Sequence, residues 1–201
     1  DPELSRGLGD VYKRQTLGII GLGRIGKLVA QRALAFGMKL VAYDPYIAEE
    51  RAQQLSVELV SLEQLMEVSD FVTIHVAKTP ETINLINAES LSNAKPTLRI
   101  VNVARGGIIN ESDLADAVSS GQIAGAALDV FEEEPTVESP LFDQQSIIVT
   151  PHLGARTQEA QEKAGNTIAE QVDLALRGKF VPFAVNVSAS EATEIVRPFL
   201  P

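Results

Sequence analysis

Short apolar runs recur along the chain and alternate with stretches whose apolar residues return at the helical period. Residues 16–20, 39–43, 57–60, 71–75, 98–103, 123–130 and 146–150 are rich in Val, Ile, Leu and Ala, and short enough for strands buried on both faces. The intervening stretches read as helices with recognisable ends. Residues 27–36 form one, with Gly37 placed to cap it, and 48–55 form a short one. Ser61 and Gln64 make a capping box ahead of Leu62, Leu65 and Met66. Residues 87–93 form another, closed by Lys95 and Pro96; Asn110 caps a helix running to Ser120 and Gly121. The longest spans 157–177 and is closed by Gly178. Strands alternating with helices predict an α/β fold, a doubly wound parallel sheet with crossovers. Residues 1–15 are polar, show no sustained period and are set apart as a leader.

Composition narrows the partners. A net charge of -10 and a pI near 4.7 oppose binding to nucleic acid and to anionic membranes. An anionic substrate must then be held by a local cation against the overall field. Without cysteine there is neither a disulfide framework nor a thiolate metal site, and two histidines offer no metal-ligand spacing. No apolar run reaches the length of a membrane-spanning helix and no secretory signal pattern opens the chain, so a cytoplasmic protein is expected.

The first strand runs into Gly21-Leu22-Gly23-Arg24-Ile25-Gly26, a G-x-G-x-x-G at the point where a strand hands over to a helix. Gly21 permits the turn, Gly23 lets backbone approach a pyrophosphate, and Gly26 lets helix and strand pack closely. The helix N-terminus aims free N–H groups at the phosphates. Asp44 ends the second strand roughly 20 residues on, where a carboxylate accepts the adenosine ribose hydroxyls. It also repels a 2′-phosphate, and Pro45 and Tyr46 supply no cation to hold one, so the expected cofactor is NAD rather than NADP. The fold is thus a Rossmann-like NAD-binding domain.

Ligands in open α/β sheets bind beyond the carboxyl ends of the strands. There the sequence sets Asp44, His75, Asn102 with Arg105, Asp129 and His152 in succession. Arg105 precedes Gly106 and Gly107, a setting in which a guanidinium can grip a carboxylate through two bonds. His152 follows Thr150 and Pro151, and Glu134 closes an acidic run after the preceding strand. A carboxylate beside a histidine fixes its tautomer and suits it to acid/base work. Glu132 and Glu133 read as solvated. His75 is the second candidate base, ranked lower because no carboxylate follows it in the next few residues.

The runs 16–26, 102–107 and 129–135, together with Pro151-His152-Leu153-Gly154-Ala155, resemble the D-isomer-specific 2-hydroxyacid dehydrogenases. The resemblance extends to about Asn186. It implies that Arg105 binds the substrate carboxylate, that Glu134 pairs with His152, and that His152 is the acid/base. It implies NAD contacts at Gly21, Gly23, Arg24, Ile25, Gly26, Asp44, Val76, Val103, Ala104, Arg105, Asp129, His152, Leu153, Gly154 and Ala155. Ala184-Val185-Asn186, with Ser188, Glu191 and Arg197-Pro198-Phe199-Leu200, is similar to the long-form phosphoglycerate-oxidising branch of that family. The implied reaction is hydride exchange between NAD and a D-2-hydroxy acid, 3-phosphoglycerate above others, in serine biosynthesis. Glyoxylate or D-lactate chemistry, and a non-catalytic NAD-sensing module, are the alternatives. Ala77, Lys78 and Arg156 depart from the common pattern. The implied domains are 16–154 for the dinucleotide and 155–201 for a crossing helix with only a remnant of the substrate domain. The parent is expected to be a homo-oligomer acting on a small 2-hydroxy or 2-oxo acid.

Overall fold

The computed structural model describes residues 13–185, which divide into one compact unit ending at His152 and another beginning at Leu153. In the first, strands β1 (Thr16–Ile20), β2 (Lys39–Tyr43), β3 (Glu58–Leu59), β4 (Phe71–Ile74), β5 (Arg99–Asn102), β6 (Gly125–Leu128) and β7 (Ile147–Val149) form one sheet. Its order is β3-β2-β1-β4-β5-β6-β7, and every neighbouring pair is parallel. Helices α1 (Arg24–Ala35), α2 (Glu49–Gln53), α3 (Leu62–Val68), α4 (Ala88–Leu91) and α5 (Glu111–Ser119) make the crossovers.

Alternation within the strands feeds two cores. Leu17, Ile19, Leu40 and Ala42 join Ala30 and Ala33 of α1 on one face. Ile20, Val41, Val72 and Ile74 join Leu65 and Met66 of α3, Leu91 of α4 and Leu114 of α5 on the other. Successive strand residues therefore point to opposite apolar layers, as expected of a sheet covered on both sides. The order of the chain reverses direction at β1, so the connections leaving the paired strands β1 and β4 run opposite ways and a crevice opens beyond their carboxyl ends.

Some elements differ from the sequence expectation, through pairing or capping. Helix α1 starts at Arg24, earlier than 27, because Gly23 already serves as its N-cap. Strand β3 is two residues long, at the sheet edge with only β2 beside it. Only half of the expected capping box at Ser61 forms: its Oγ accepts the Gln64 N–H at 3.2 Å, while the hydroxyl turns to Glu63. Asn87 and Ser90 make a complete box instead, ahead of α4.

The second unit carries α6 (Gln158–Leu176), capped by the Thr157 hydroxyl at the Ala160 N–H. It ends in a Schellman pair, Gly178 N–H to Ala175 C=O and Lys179 N–H to Leu174 C=O. Ile168, Val172 and Leu176 on this helix are exposed. No helix among the described residues is long and apolar enough to cross a membrane. The tail residues singled out from Asn186 onward, and most of the leader, lie outside the described residues.

Candidate active site

The turn between β1 and α1 is held by close contact. A Cβ on Gly26 would stand 2.1 Å from the Gly21 carbonyl oxygen, so a larger residue cannot bring the helix start onto the turn. At Gly23 a Cβ would meet nothing within 4 Å, so the backbone there faces open space. No side chain caps α1 and its first turn holds no acid. Its leading N–H groups, followed by the exposed side chains of Arg24 and Ile25, are left to an anion.

Asp44 sits beside this turn. Its Oδ2 accepts the Leu22 N–H at 2.8 Å and its Oδ1 the Tyr46 N–H at 2.9 Å. Each oxygen keeps a lone pair for a ligand hydroxyl. A cavity of about 330 Å³ opens between Gly21, Gly23, Asp44, Tyr46, His75 and Val76. The glycine turn, the unclaimed helix terminus and the fixed carboxylate fit a dinucleotide. His75 belongs to this cavity, hydrogen-bonded to Thr73 Oγ1 at 3.0 Å, and burial lowers its pKa so that it is neutral at neutral pH.

A second cavity of about 230 Å³ is lined by Lys78, Arg105, Gly106, Phe131, Glu134 and His152. Arg105, Glu134 and His152 come from the loops after β5, β6 and β7, so parallel pairing of those strands gathers residues distant in sequence. Arg105 is set by Asn102, which is buried. The Asn102 amide donates to the Arg105 C=O at 2.9 Å, and its oxygen accepts the Ala104 N–H at 3.0 Å. Gly106 lies against the next loop, where a Cβ would fall 1.6 Å from the Phe131 carbonyl oxygen. Arg105 is exposed, and its guanidinium donates to the Ala104 C=O, 2.6 Å away, its one hydrogen bond among the described residues.

Glu134 bridges two elements. Its Oε1 accepts the Phe131 N–H at 2.9 Å and its Oε2 lies 2.6 Å from His152 Nδ1. The His152 bond first, then the Phe131 N–H, hold the Glu134 carboxyl below its ordinary range, so it stays ionised through neutral pH. A proton on Nδ1 donated to Glu134 leaves Nε2 as the nitrogen with a lone pair for a reacting hydroxyl. His152 has a backbone φ of +54°, in the left-handed region. For a residue other than glycine this costs on the order of 1 kcal/mol and is commonest at working sites.

Of the five strand-end positions, Asn102 and Asp129 point inward. Asp129 is buried and accepts the Thr150 hydroxyl, which ties β6 to the segment carrying His152. Val103 is exposed beside Ala104 on the Arg105 turn. Leu153, Gly154 and Ala155 belong to the second unit, where Arg156 N–H donates to the Leu153 C=O at 2.9 Å. Sequence reasoning did not find Lys78 in the second cavity. Its only signal was the departure from the family pattern. Among the described residues no cluster of His, Cys, Asp and Glu could hold a metal ion.

The family model for the D-isomer specific 2-hydroxyacid dehydrogenase, NAD binding domain, matches residues 4–154. The chain is 54% identical over 186 residues to the D-3-phosphoglycerate dehydrogenase of Mycobacterium bovis, covering 92% of this chain and 35% of that protein. It thus spans about a third of the length of the curated relatives it matches. Among solved structures, the holo form of Rhodotorula graminis D-mandelate dehydrogenase superposes with a TM-score of 0.80 at 37% identity, over 87% of this chain and 52% of that one. A D-lactate dehydrogenase from Aquifex aeolicus complexed with NAD and lactic acid gives 0.76 at 32% identity, over 83% and 55%.

Proposed function

The chain belongs to the D-isomer specific 2-hydroxyacid dehydrogenase family as its NAD-binding domain, and on that premise we propose that it serves an NAD-dependent dehydrogenase of D-2-hydroxy acids, with 3-phosphoglycerate the favoured substrate. The observation that carries the reading is the Glu134–His152 pair facing Arg105 across one cavity. NAD, when bound, supplies the hydride acceptor. Arg105 holds the substrate carboxylate through paired N–H bonds and thereby orients carbon 2. His152 Nε2 takes the hydroxyl proton in oxidation and returns it in reduction, while Glu134 stabilises the imidazolium formed. Asn102 keeps the Arg105 turn in place. First-turn N–H groups of α1 hold the pyrophosphate, and Asp44 takes the ribose hydroxyls, which excludes a 2′-phosphate.

The preference for phosphoglycerate rests on the curated relatives, which are D-3-phosphoglycerate dehydrogenases. A cytoplasmic setting and a homo-oligomeric parent go with that reading. So does the reading of residues 155–201 as a crossing helix with a remnant of the substrate domain. The test is steady-state reduction of a panel of 2-oxo acids by NADH, using the full-length protein that carries this chain. 3-Phosphohydroxypyruvate is expected to be reduced most efficiently. A higher kcat/KM for pyruvate or glyoxylate would move the specificity to the D-lactate or glyoxylate class. NADH binding without reduction of any 2-oxo acid would replace the enzyme with an NAD sensor. The 201 residues assayed alone are expected to bind NADH weakly and reduce nothing measurably, because Glu134 and His152 lie half open to water.

A further inference from the structure

Arg105 accounts for one anionic group on a substrate, but the cavity it shares with His152 contains a second cation. Lys78 lines that cavity and is absent from the one formed by Gly21, Gly23 and Asp44. Its ammonium lies along the Arg105 turn, 2.7 Å from where a Cβ on Gly107 would stand, so the missing side chain at Gly107 is what gives the lysine head its place. The Lys78 ammonium makes no ion pair or hydrogen bond among the described residues. Glu132 lines the same cavity without pairing to it; its Cγ is 3.9 Å from the same Cβ position.

Two cations that line one cavity repel unless an anion lies between or beside them. They also stand out in a chain of net charge -10, whose overall field pushes anions away. The two side chains differ in the anion they suit. The planar guanidinium matches a carboxylate through two parallel bonds, whereas an ammonium on a flexible stem acts as a point charge for a phosphoryl group.

We propose that Lys78 and Arg105 form a two-cation site for a 2-oxo acid bearing a phosphoryl group, with Arg105 on the carboxylate and Lys78 on the phosphoryl. The assignment rests on the dehydrogenase reading above and makes Lys78 a specificity-determining residue for that reaction. The same ammonium could instead serve another phosphate, the pyrophosphate of the dinucleotide. The location of Lys78 in the His152 cavity favours the substrate, and the test separates the two.

The experiment uses the full-length protein that carries this chain, with 3-phosphohydroxypyruvate and unphosphorylated hydroxypyruvate as probes. Lys78→Ala is expected to raise KM for the phosphorylated acid about 10- to 100-fold, the effect of losing a charge-assisted hydrogen bond. KM for hydroxypyruvate and Kd for NADH should stay within about twofold, and Lys78→Arg should recover most of the loss. Glu132→Gln, which removes an opposing charge, should lower KM for the phosphorylated acid alone. Equal losses with both acids would make Lys78 structural, a weakened NADH Kd would give it to the dinucleotide, and no change would leave it solvated; each overturns the proposal. Calorimetry of both acids on NADH-loaded protein gives a readout independent of turnover. Wild-type protein that binds the phosphorylated acid no more tightly than the other has no two-cation site, even where it reduces both. Wild-type protein that reduces neither refutes the dehydrogenase reading, and the Lys78-dependent difference in binding still decides this one.

Discussion

Around Gly21, Gly23 and Gly26 the groups presented to a ligand are mostly backbone, held by one turn, one helix start and the carboxylate of Asp44. Around Arg105, Glu134 and His152 they are side chains from three loops that meet only because β5, β6 and β7 pair. The dinucleotide cradle is a local product of a short stretch of sequence, while the proposed catalytic cavity is a product of the whole sheet. Damage to the ligand-facing positions of the first, Gly23 and Asp44, should therefore fall mainly on binding. Damage to the second should spread from loop to loop, and its groups, half open to water, should matter far more to the reaction than to the fold.

The largest expected effect is at His152. In the full-length protein His152→Asn should lower the turnover rate by about 10²–10⁴-fold, the usual cost of losing a general acid/base. Fluorescence titration should find NADH affinity nearly intact. His75→Asn tests the division between the cavities from the other side: it should disturb NADH binding more than the chemical step. If His75→Asn instead abolished turnover while His152→Asn did not, the roles given to the two cavities would be exchanged.

Next come two glycines that look alike in sequence. Gly106→Ala drives a methyl into the Phe131 carbonyl, so the two loops must part. Thermal melts should show a loss of about 1–3 kcal/mol, with the turnover rate falling as Arg105 and Glu134 separate. Gly23→Ala places its methyl in open space, at a backbone φ of -72° that alanine tolerates. It should melt close to wild type and weaken NADH binding by obstructing the phosphates. Equal melting points for the two variants would show that the loops are not in the tight contact described.

Asp44→Ala should narrow the preference for NADH over NADPH by about tenfold, since it removes both the ribose bonds and the repulsion. Calorimetry with both dinucleotides measures it. Some loss of affinity for both is also expected, because Leu22 and Tyr46 lose the acceptor of their N–H groups.

The cradle was legible in the sequence because its evidence is contiguous: apolar strand, glycine spacing, helix, strand, acid. Arg105, Glu134 and His152 were legible as residue types after successive strands, and their meeting in one cavity follows from the parallel order that the strand–helix alternation predicts. Contacts between loops were not. Nothing in the spacing says that Gly106 touches Phe131, that Asn102 turns inward to hold the Arg105 turn, or that Lys78 reaches the far side of Gly107. Such contacts carry no period, since they depend on how two loops distant in sequence settle against each other. Strand lengths beyond β1 and β2, which match their expected bounds, were overestimated for a related reason. Apolar composition continues past the last paired residue, as in 123–130, where only Gly125–Leu128 pairs.

The smallest expected effect is the pH dependence of stability carried by Glu134. Its carboxyl is lowered by His152 and by the Phe131 N–H, so the folded state holds the ionised form more strongly than the unfolded chain does. The resulting stabilisation is fully present above the ordinary glutamate range and is lost as pH falls through the depressed folded value. Stability of wild type minus that of Glu134→Gln, followed by denaturant titration, should decline from about pH 5 downward. Its size should stay under about 1 kcal/mol, because the two side chains are 44% and 34% exposed and water screens the pair. The same variant assayed for turnover near neutral pH should lose much more, since the imidazolium formed in the reaction loses its counter-charge. A pair weak in the melt and strong in the assay is what a wet cavity assembled from loops predicts. A stability difference of several kcal/mol, or one that grew on acidification, would instead mark Glu134 and His152 as a structural clamp.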